Sequence, residues 1–267
     1  MHHHNSGSAQ LRFDNVSVHY YSRPSWLGGK PFVALNKLNL NVDQQSLAIV
    51  GPSGAGKSTL IELLFGLRQI SEGEVYLCEQ PLSQISAQQR QQLCRHIQLI
   101  PQEPHTSLNP YYTVREILTE PQHCVGLIDG CEQRILKALA DVNLSAHLLE
   151  HKSSQLSLGQ AQRVAIARAL VVEPCVLVAD EPTSSLDPVS RRYILDLLQN
   201  LQKQRDMRLL LVTHDLSAAK ELCDEILVLA QGEVVEYGTA EEIFDNPTHP
   251  ISQSLVEMQY PSQAIAS

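Results

Sequence analysis

The chain has 267 residues, enough for one large domain or two small ones with a substantial core. Apolar residues are 43% of it and aromatics only 5%, so leucine, isoleucine and valine must fill that core. The formal charge of −9 argues against broad, nonspecific binding of DNA or RNA, and no apolar run is long enough to span a bilayer.

Residues 1–8, "MHHHNSGS", have no apolar signal core and read as a tag or disordered leader. "LRFDNVSVHYY" alternates with period two and reads as a strand or hairpin arm, "SRPSWLGGKP" (Ser22 to Pro31) as a loop, and "ALNKLNLNV" as a second alternating strand. Together they predict an antiparallel β region. "LAIVG", from Leu47 to Gly51, is a short buried strand. "KSTLIELLFGL" has helical spacing and ends near Gly66, and "GEVYLC" is another strand. From about Ser86 to Leu149 the pattern turns helical, broken by prolines and glycines, with Thr113 and Glu116 placed as a capping box. "CVLVADE" and "RLLLVTHD" read as buried strands, and "ILVLAQGEVVEYG" as a hairpin about Gln231-Gly232.

Short apolar runs alternating with amphipathic stretches define an α/β fold. The expected organisation is a core from residues 9–86 and 166–250, a helical subdomain over 87–165, and a tail over 251–267. Six cysteines (Cys78, Cys94, Cys124, Cys131, Cys175 and Cys223) form no C-x-x-C pair and read as free thiols.

Two stretches point to phosphate chemistry. "GPSGAGKST" runs Gly51, Pro52, Ser53, Gly54, Ala55, Gly56, Lys57, Ser58, Thr59 and fits G-x-x-x-x-G-K-[ST] between a buried strand and a helix. There the backbone N–H groups curl round the phosphates, Lys57 reaches the β and γ phosphates, and Ser58 ligates Mg²⁺. "VLVADE" ends a hydrophobic strand in two acids, which need a compensating cation when buried. Asp180 is placed in the metal shell, and Glu181, facing the other way, as general base for water.

"QLSLGQAQRVAIARAL" opens a second helix suited to an anion. Ser157 and Gln160 form a capping box, Gly159 lets another molecule approach the backbone, and the first turn has no acid. Arg163 and Arg168 keep the helix positive, and Val164, Ala165, Ala169 and Leu170 share a packing side. Ser157 either simply caps a core helix, or faces its own phosphate loop, or closes over a nucleotide held by a second chain packed head to tail.

"LSLGQ", "GPSGAGKST" and "VLVADEPTSSLD", in that family's arrangement, resemble the ATP-binding subunit of an ABC transporter, over Leu11 to about Leu255. The family's signature is usually LSGGQ; Leu158 replaces its first glycine. The resemblance implies a P-loop NTPase with a RecA-like core, an antiparallel β region and a helical subdomain, using ATP and Mg²⁺. It implies that Ser157, Gly159 and Gln160 act in trans on the partner's nucleotide. It places Tyr20, with Tyr21 as fallback, on the adenine, and Gln102 at the Mg²⁺ and the attacking water. It also makes Asp187 a contact across the dimer, and His214 the switch residue at the γ-phosphate. Asp187 before Pro188 equally fits a plain N-cap.

"PQEPHTSLNPYYTVREILTEP" and "FDNPTHPISQSLV" resemble the dipeptide, oligopeptide and nickel importers. That branch implies nickel, metallophore or peptide cargo, membrane-embedded permease subunits and, indirectly, an extracytoplasmic binding protein. It implies an ATPase dimer, homo- or hetero-, peripheral on the cytoplasmic face of the inner membrane, with no nucleic-acid partner. Glu103 to Tyr112 would form the rim of a groove for a permease helix. The rival readings are a soluble non-transport ABC ATPase and a nucleotide-dependent regulatory switch. A single cassette without heptads weighs against the first, and Lys57, Glu181 and His214 together weigh against the second.

Overall fold

The computed structural model describes residues 11–21, 31–42, 45–77, 79–205 and 207–259. The segment 1–8, the loop read from Ser22 as far as Lys30, Cys78, the side chain of Tyr21 and the tail beyond Gln259 lie outside the described residues. Contacts divide the chain into two compact units, one of residues 1–86 with 213–267, the other of 87–212.

The first unit begins with β1 (Leu11–Tyr21) and β2 (Pro31–Val42), paired antiparallel with Leu11 opposite Val42 and Phe13 opposite Leu40. Leu11, Phe13, Val16 and Val18 are buried, and the break in strict alternation between Phe13 and Val16 is a register shift at Asn15, whose φ is 50°. β3 (Ser46–Val50) is buried throughout, as a strand with neighbours on both faces must be, and leads through a loop into α1 (Lys57–Leu64). β4 (Glu72–Leu77) adds to β1, and the two-residue β5 (Gln80–Pro81) adds to β4.

The second unit opens with α2 (Ala87–His96), β6 (Ile97–Ile100), the single turn α3 (Pro104–Ser107), α4 (Val114–Cys124) and α5 (Cys131–Asp141). β6 departs from the helical reading of this stretch. It is only four residues long and follows α2 with no glycine or proline between, so no turn residue marks it. The capping box of Thr113 and Glu116 is present. Next come α6 (Leu158–Leu170), β7 (Val176–Asp180), α7 (Pro188–Gln204) and β8 (Arg208–Val212). β6, β7 and β8 pair parallel. α6 is buried on almost every side, not on one stripe, because it packs against α3, α4, α5 and β6.

The chain then returns to the first unit with α8 (Leu216–Leu222), β9 (Glu225–Ala230), β10 (Glu233–Thr239), α9 (Ala240–Asp245) and α10 (Pro250–Gln259). β9 lies parallel to β3, and β9 and β10 form the hairpin expected at Gln231-Gly232. Among the described residues no helix is long and apolar enough to cross a membrane.

Candidate nucleotide-binding site

In the first unit the 51–59 loop is pressed onto neighbouring backbone. A Cβ on Gly51 would lie 2.0 Å from the Leu229 carbonyl oxygen, and one on Gly56 2.6 Å from that of Ala34. Gly56 also holds φ 110° as it starts α1, so only glycine satisfies both the space and the turn. Gly232 N–H donates to the Ala55 carbonyl at 2.9 Å and pins the loop from the β9–β10 hairpin. Pro52, Ser53, Gly54 and Ser58 are exposed, whereas Ala55 and Thr59 are buried. No side chain caps α1 and its first turn holds no acid, so the positive end of the helix faces the loop's interior. Lys57 Nζ donates to the carbonyls of Gly51 at 2.7 Å and Pro52 at 3.1 Å, which puts the ammonium in the mouth of the loop. A phosphate chain fits such a cradle: the glycines leave the backbone open to close approach, the helix N-terminus has no side-chain cap and a cation is already there.

Tyr20 sits beside this loop. Its hydroxyl is 3.2 Å from Thr59 Oγ1 and donates to Glu62 at 3.4 Å. The Arg68 guanidinium lies 4.7 Å from the ring centroid and is held by Glu62, and the Phe32 ring is 6.4 Å away. His214 follows Thr213, whose N–H donates to the Ile49 carbonyl at 3.1 Å, so the histidine leaves from beside the end of β3. Asp215 then N-caps α8, accepting from Ser217 and Ala218.

In the second unit Ile100 pairs with Ala179, so Gln102 and the Asp180–Glu181 pair leave adjacent parallel strand ends, with Gln102 exposed. Glu181 adopts φ 45°, uncommon for a residue with a side chain. Its N–H donates to the Val212 carbonyl at 2.8 Å, and Ser184 folds back to donate through N and Oγ to the Glu181 carbonyl. The turn that carries Glu181 is therefore strained in its backbone and held by hydrogen bonds at both its N–H and its carbonyl.

The N-terminus of α6 carries the predicted reciprocal cap. Gln160 N–H donates to Ser157 Oγ at 3.2 Å, and Ser157 N–H donates to Gln160 Oε1 at 2.9 Å. Accepting that bond leaves the exposed Ser157 hydroxyl its own proton to donate. A Cβ on Gly159 would lie 3.4 Å from Ser190 Oγ, so this turn adjoins the start of α7. There Asp187 accepts from Val189 and Ser190 N–H, each at 3.0 Å. Hydrogen bonds from Ser190 hold the Asp187 carboxyl below its usual range. Ser157, Gly159, Gln160 and Asp187 thus form one cluster, across a sequence gap that hides it.

The two arginines of α6 serve carbonyls. Arg163 donates to Gly159 at 3.2 Å and Asn143 at 3.1 Å, with its guanidinium 5.1 Å from the Tyr193 ring centroid. Arg168 donates to Ser107 at 2.8 Å, and burial pushes its pKa down against the pull of Glu120. Arg168 therefore ties α6 to the segment after Gln102. Arg68, Ser190 and Gln259 (whose contacts follow below) have no motif of their own; only contacts in the folded chain bring them out.

A glycine-rich loop running from a buried strand into an uncapped helix, within a parallel α/β arrangement flanked by antiparallel strands, defines a P-loop nucleotide-binding cassette. Residues 35–184 match the family described as ABC transporter. The dipeptide transport ATP-binding protein DppF of Escherichia coli is 39% identical over 251 residues, 92% of this chain and 75% of that protein. The oligopeptide transport ATP-binding protein OppF of Salmonella typhimurium is 34% identical over 254 residues, 92% of this chain and 76% of that protein. Among solved structures, the dimeric ATP-binding cassette MJ0796 in a post-hydrolysis state with ADP and Pi superimposes with TM-score 0.75. It is 31% identical, and the match covers 86% of this chain and 98% of that one. CbiO1 of Clostridium perfringens, part of the cbiONQ transporter complex, gives 0.77 at 29% identity over 95% and 96% of the two chains. The chain belongs to the ABC transporter family as an ATP-binding subunit, an ATPase coupled to transport.

Proposed function

We propose that this subunit powers an importer of peptides by closing head to tail with a second cassette around ATP. The exposed, capped N-terminus of α6 carries the reading: with Gly159 and Asp187 beside it, it is a second anion site in the unit that does not hold the phosphate loop. In this reading Tyr20 stacks on adenine. The 51–59 backbone and Lys57 hold the phosphates, while Ser157, Gly159 and Gln160 of one copy close over the γ-phosphate bound to the other. Asp187 meets the opposing copy, which is a second copy of this chain or a related subunit.

Mg²⁺ would be held by the oxygens of Ser58, Asp180 and Gln102, where it neutralises charge on the phosphates. Glu181 takes the proton of the water that attacks the γ-phosphorus. The bond to the β–γ bridging oxygen breaks and ADP leaves. His214 and Gln102 hold that water and the γ-phosphate in line.

Residues 87–165, helical apart from β6, are the subdomain that meets the permease, and 9–86 with 166–250 are the core. Tyr111, 80% exposed, and Tyr112 lie on the rim formed by Glu103 to Tyr112. Arg168 and Ser153 fasten that rim to the rest of the unit at the Ser107 and Asn109 carbonyls. The protein works as a peripheral subunit on the cytoplasmic face of the inner membrane, beneath permease subunits fed by an extracytoplasmic binding protein. Peptide cargo is supported by the likeness to DppF, a dipeptide transport ATP-binding protein, and to OppF, an oligopeptide transport one.

Glu181→Gln tests the reading. The variant should bind ATP, run as a stable dimer in gel filtration with Mg·ATP, and hydrolyse at least about a hundredfold more slowly, as loss of a general base demands. Turnover like the parent chain removes Glu181 as base, and a strictly monomeric ATP complex removes the dimer.

A further inference from the structure

The last residue of α10 grips the backbone on both sides of the His214 loop. Gln259 Nε2 donates to the His214 carbonyl at 2.6 Å, and Gln259 Oε1 accepts from Leu216 N–H at 2.8 Å. One amide thus serves a carbonyl and an N–H two residues apart. A carboxylate or an apolar side chain cannot do both. Two further bonds brace the loop: Thr213 Oγ1 accepts from Asp215 N–H at 3.0 Å, and the Asp215 carboxylate caps α8. α10 is itself anchored at its start. The Glu236 carboxylate of β10 accepts from Thr248 N–H and Oγ1, each at 2.8 Å, and from His249 N–H at 3.1 Å. A negative group there also suits the positive end of the helix. A ten-residue helix spans about 15 Å and is stiff over that length, so an anchored start fixes where Gln259 stands.

We propose that Gln259 is a positioning residue for His214, acting from the C-terminal helix through the histidine's own carbonyl. The proposal rests on His214 being the switch residue at the γ-phosphate. Gln259 touches no nucleotide in this scheme. It sets the direction in which the His214 side chain leaves the backbone, and so the alignment of the group that holds the γ-phosphate in the transition state.

Steady-state ATP hydrolysis of Gln259→Leu, Gln259→Glu, His214→Ala and Gln253→Ala tests it, against the parent chain and with the same partner subunits. Gln259→Leu should lower kcat about fivefold, the scale of one net hydrogen bond. KM for ATP should stay within about twofold, because the phosphate loop and Tyr20 are untouched. Gln259→Glu keeps an acceptor for Leu216 but has no proton for His214, so it should fall with Gln259→Leu. Gln253→Ala removes a bond to the Pro247 carbonyl on the same helix and should match the parent. If Gln259→Glu turns over like the parent, donation to His214 is irrelevant and the proposal is wrong. It is equally wrong if the Gln259 variants raise KM and spare kcat, or if Gln253→Ala falls with them. If His214→Ala itself retains full turnover, the switch-residue reading falls first; an impaired His214→Ala beside unimpaired Gln259 variants overturns the Gln259 proposal alone.

Discussion

Gly159→Ala separates folding from function at the proposed second anion site. Gly159 is the second residue of α6, and a methyl there would lie 3.4 Å from Ser190 Oγ and 3.9 Å from Ser190 Cβ. That is the edge of ordinary contact, against a hydroxyl that can rotate away. Alanine also loses less backbone entropy than glycine in a helix, a gain of roughly 0.5–1 kcal/mol in a helix interior and less in a first turn. We therefore expect about 0.5 kcal/mol of stabilisation, or no change. At roughly 2–4 °C per kcal/mol for a chain of this size, Tm without nucleotide should hold or rise by about 1–2 °C. In the proposed head-to-tail dimer the same methyl would stand where the opposing copy's γ-phosphate approaches the backbone. Turnover should fall at least about tenfold, or about 1.4 kcal/mol of lost transition-state stabilisation. Scanning calorimetry gives the first number and ATPase turnover the second. Gel filtration with Mg·ATP, in the Glu181→Gln background, gives the dimer. A variant that dimerises and turns over like the parent shows that nothing needs the space over Gly159. A drop of several degrees in Tm shows instead that the glycine serves the α6–α7 contact.

Two further outcomes follow from the same geometry. Gly51→Ala should cost more than about 2 kcal/mol in urea unfolding, because its Cβ meets backbone at 2.0 Å, whereas Gly54→Ala, with nothing within 4 Å, pays only for φ +78°, about 1 kcal/mol; equal losses would show that the loop relaxes freely. Arg168→Met should cost about 1–2 kcal/mol and speed amide exchange across 103–112, since it frees the Ser107 carbonyl; unchanged exchange would mean that other contacts hold this segment.

The local features of this chain were legible in the order of its residues. The buried strands β3, β7 and β8 declare themselves as short apolar runs, and the caps of α4, α6 and α7 as Ser, Thr or Asp at fixed offsets. These depend on contacts over a few residues, which sequence spacing measures directly. β6 escaped because four residues with no turn signal before them carry too little pattern; what makes them a strand is the partner β7, far away in the chain. The departure of α6 from a one-sided stripe has the same origin, since its neighbours on every face come from other elements.

The phosphate loop stands in a single line of text because one turn of backbone makes it. The meeting of Gly159 with Ser190, the tie from Arg168 to Ser107 and the grip of Gln259 on His214 join residues about thirty to sixty positions apart. No local rule reaches that far. Such contacts exist only after packing has fixed the helices, and they decide which arginine serves a carbonyl and which glutamine holds the His214 loop.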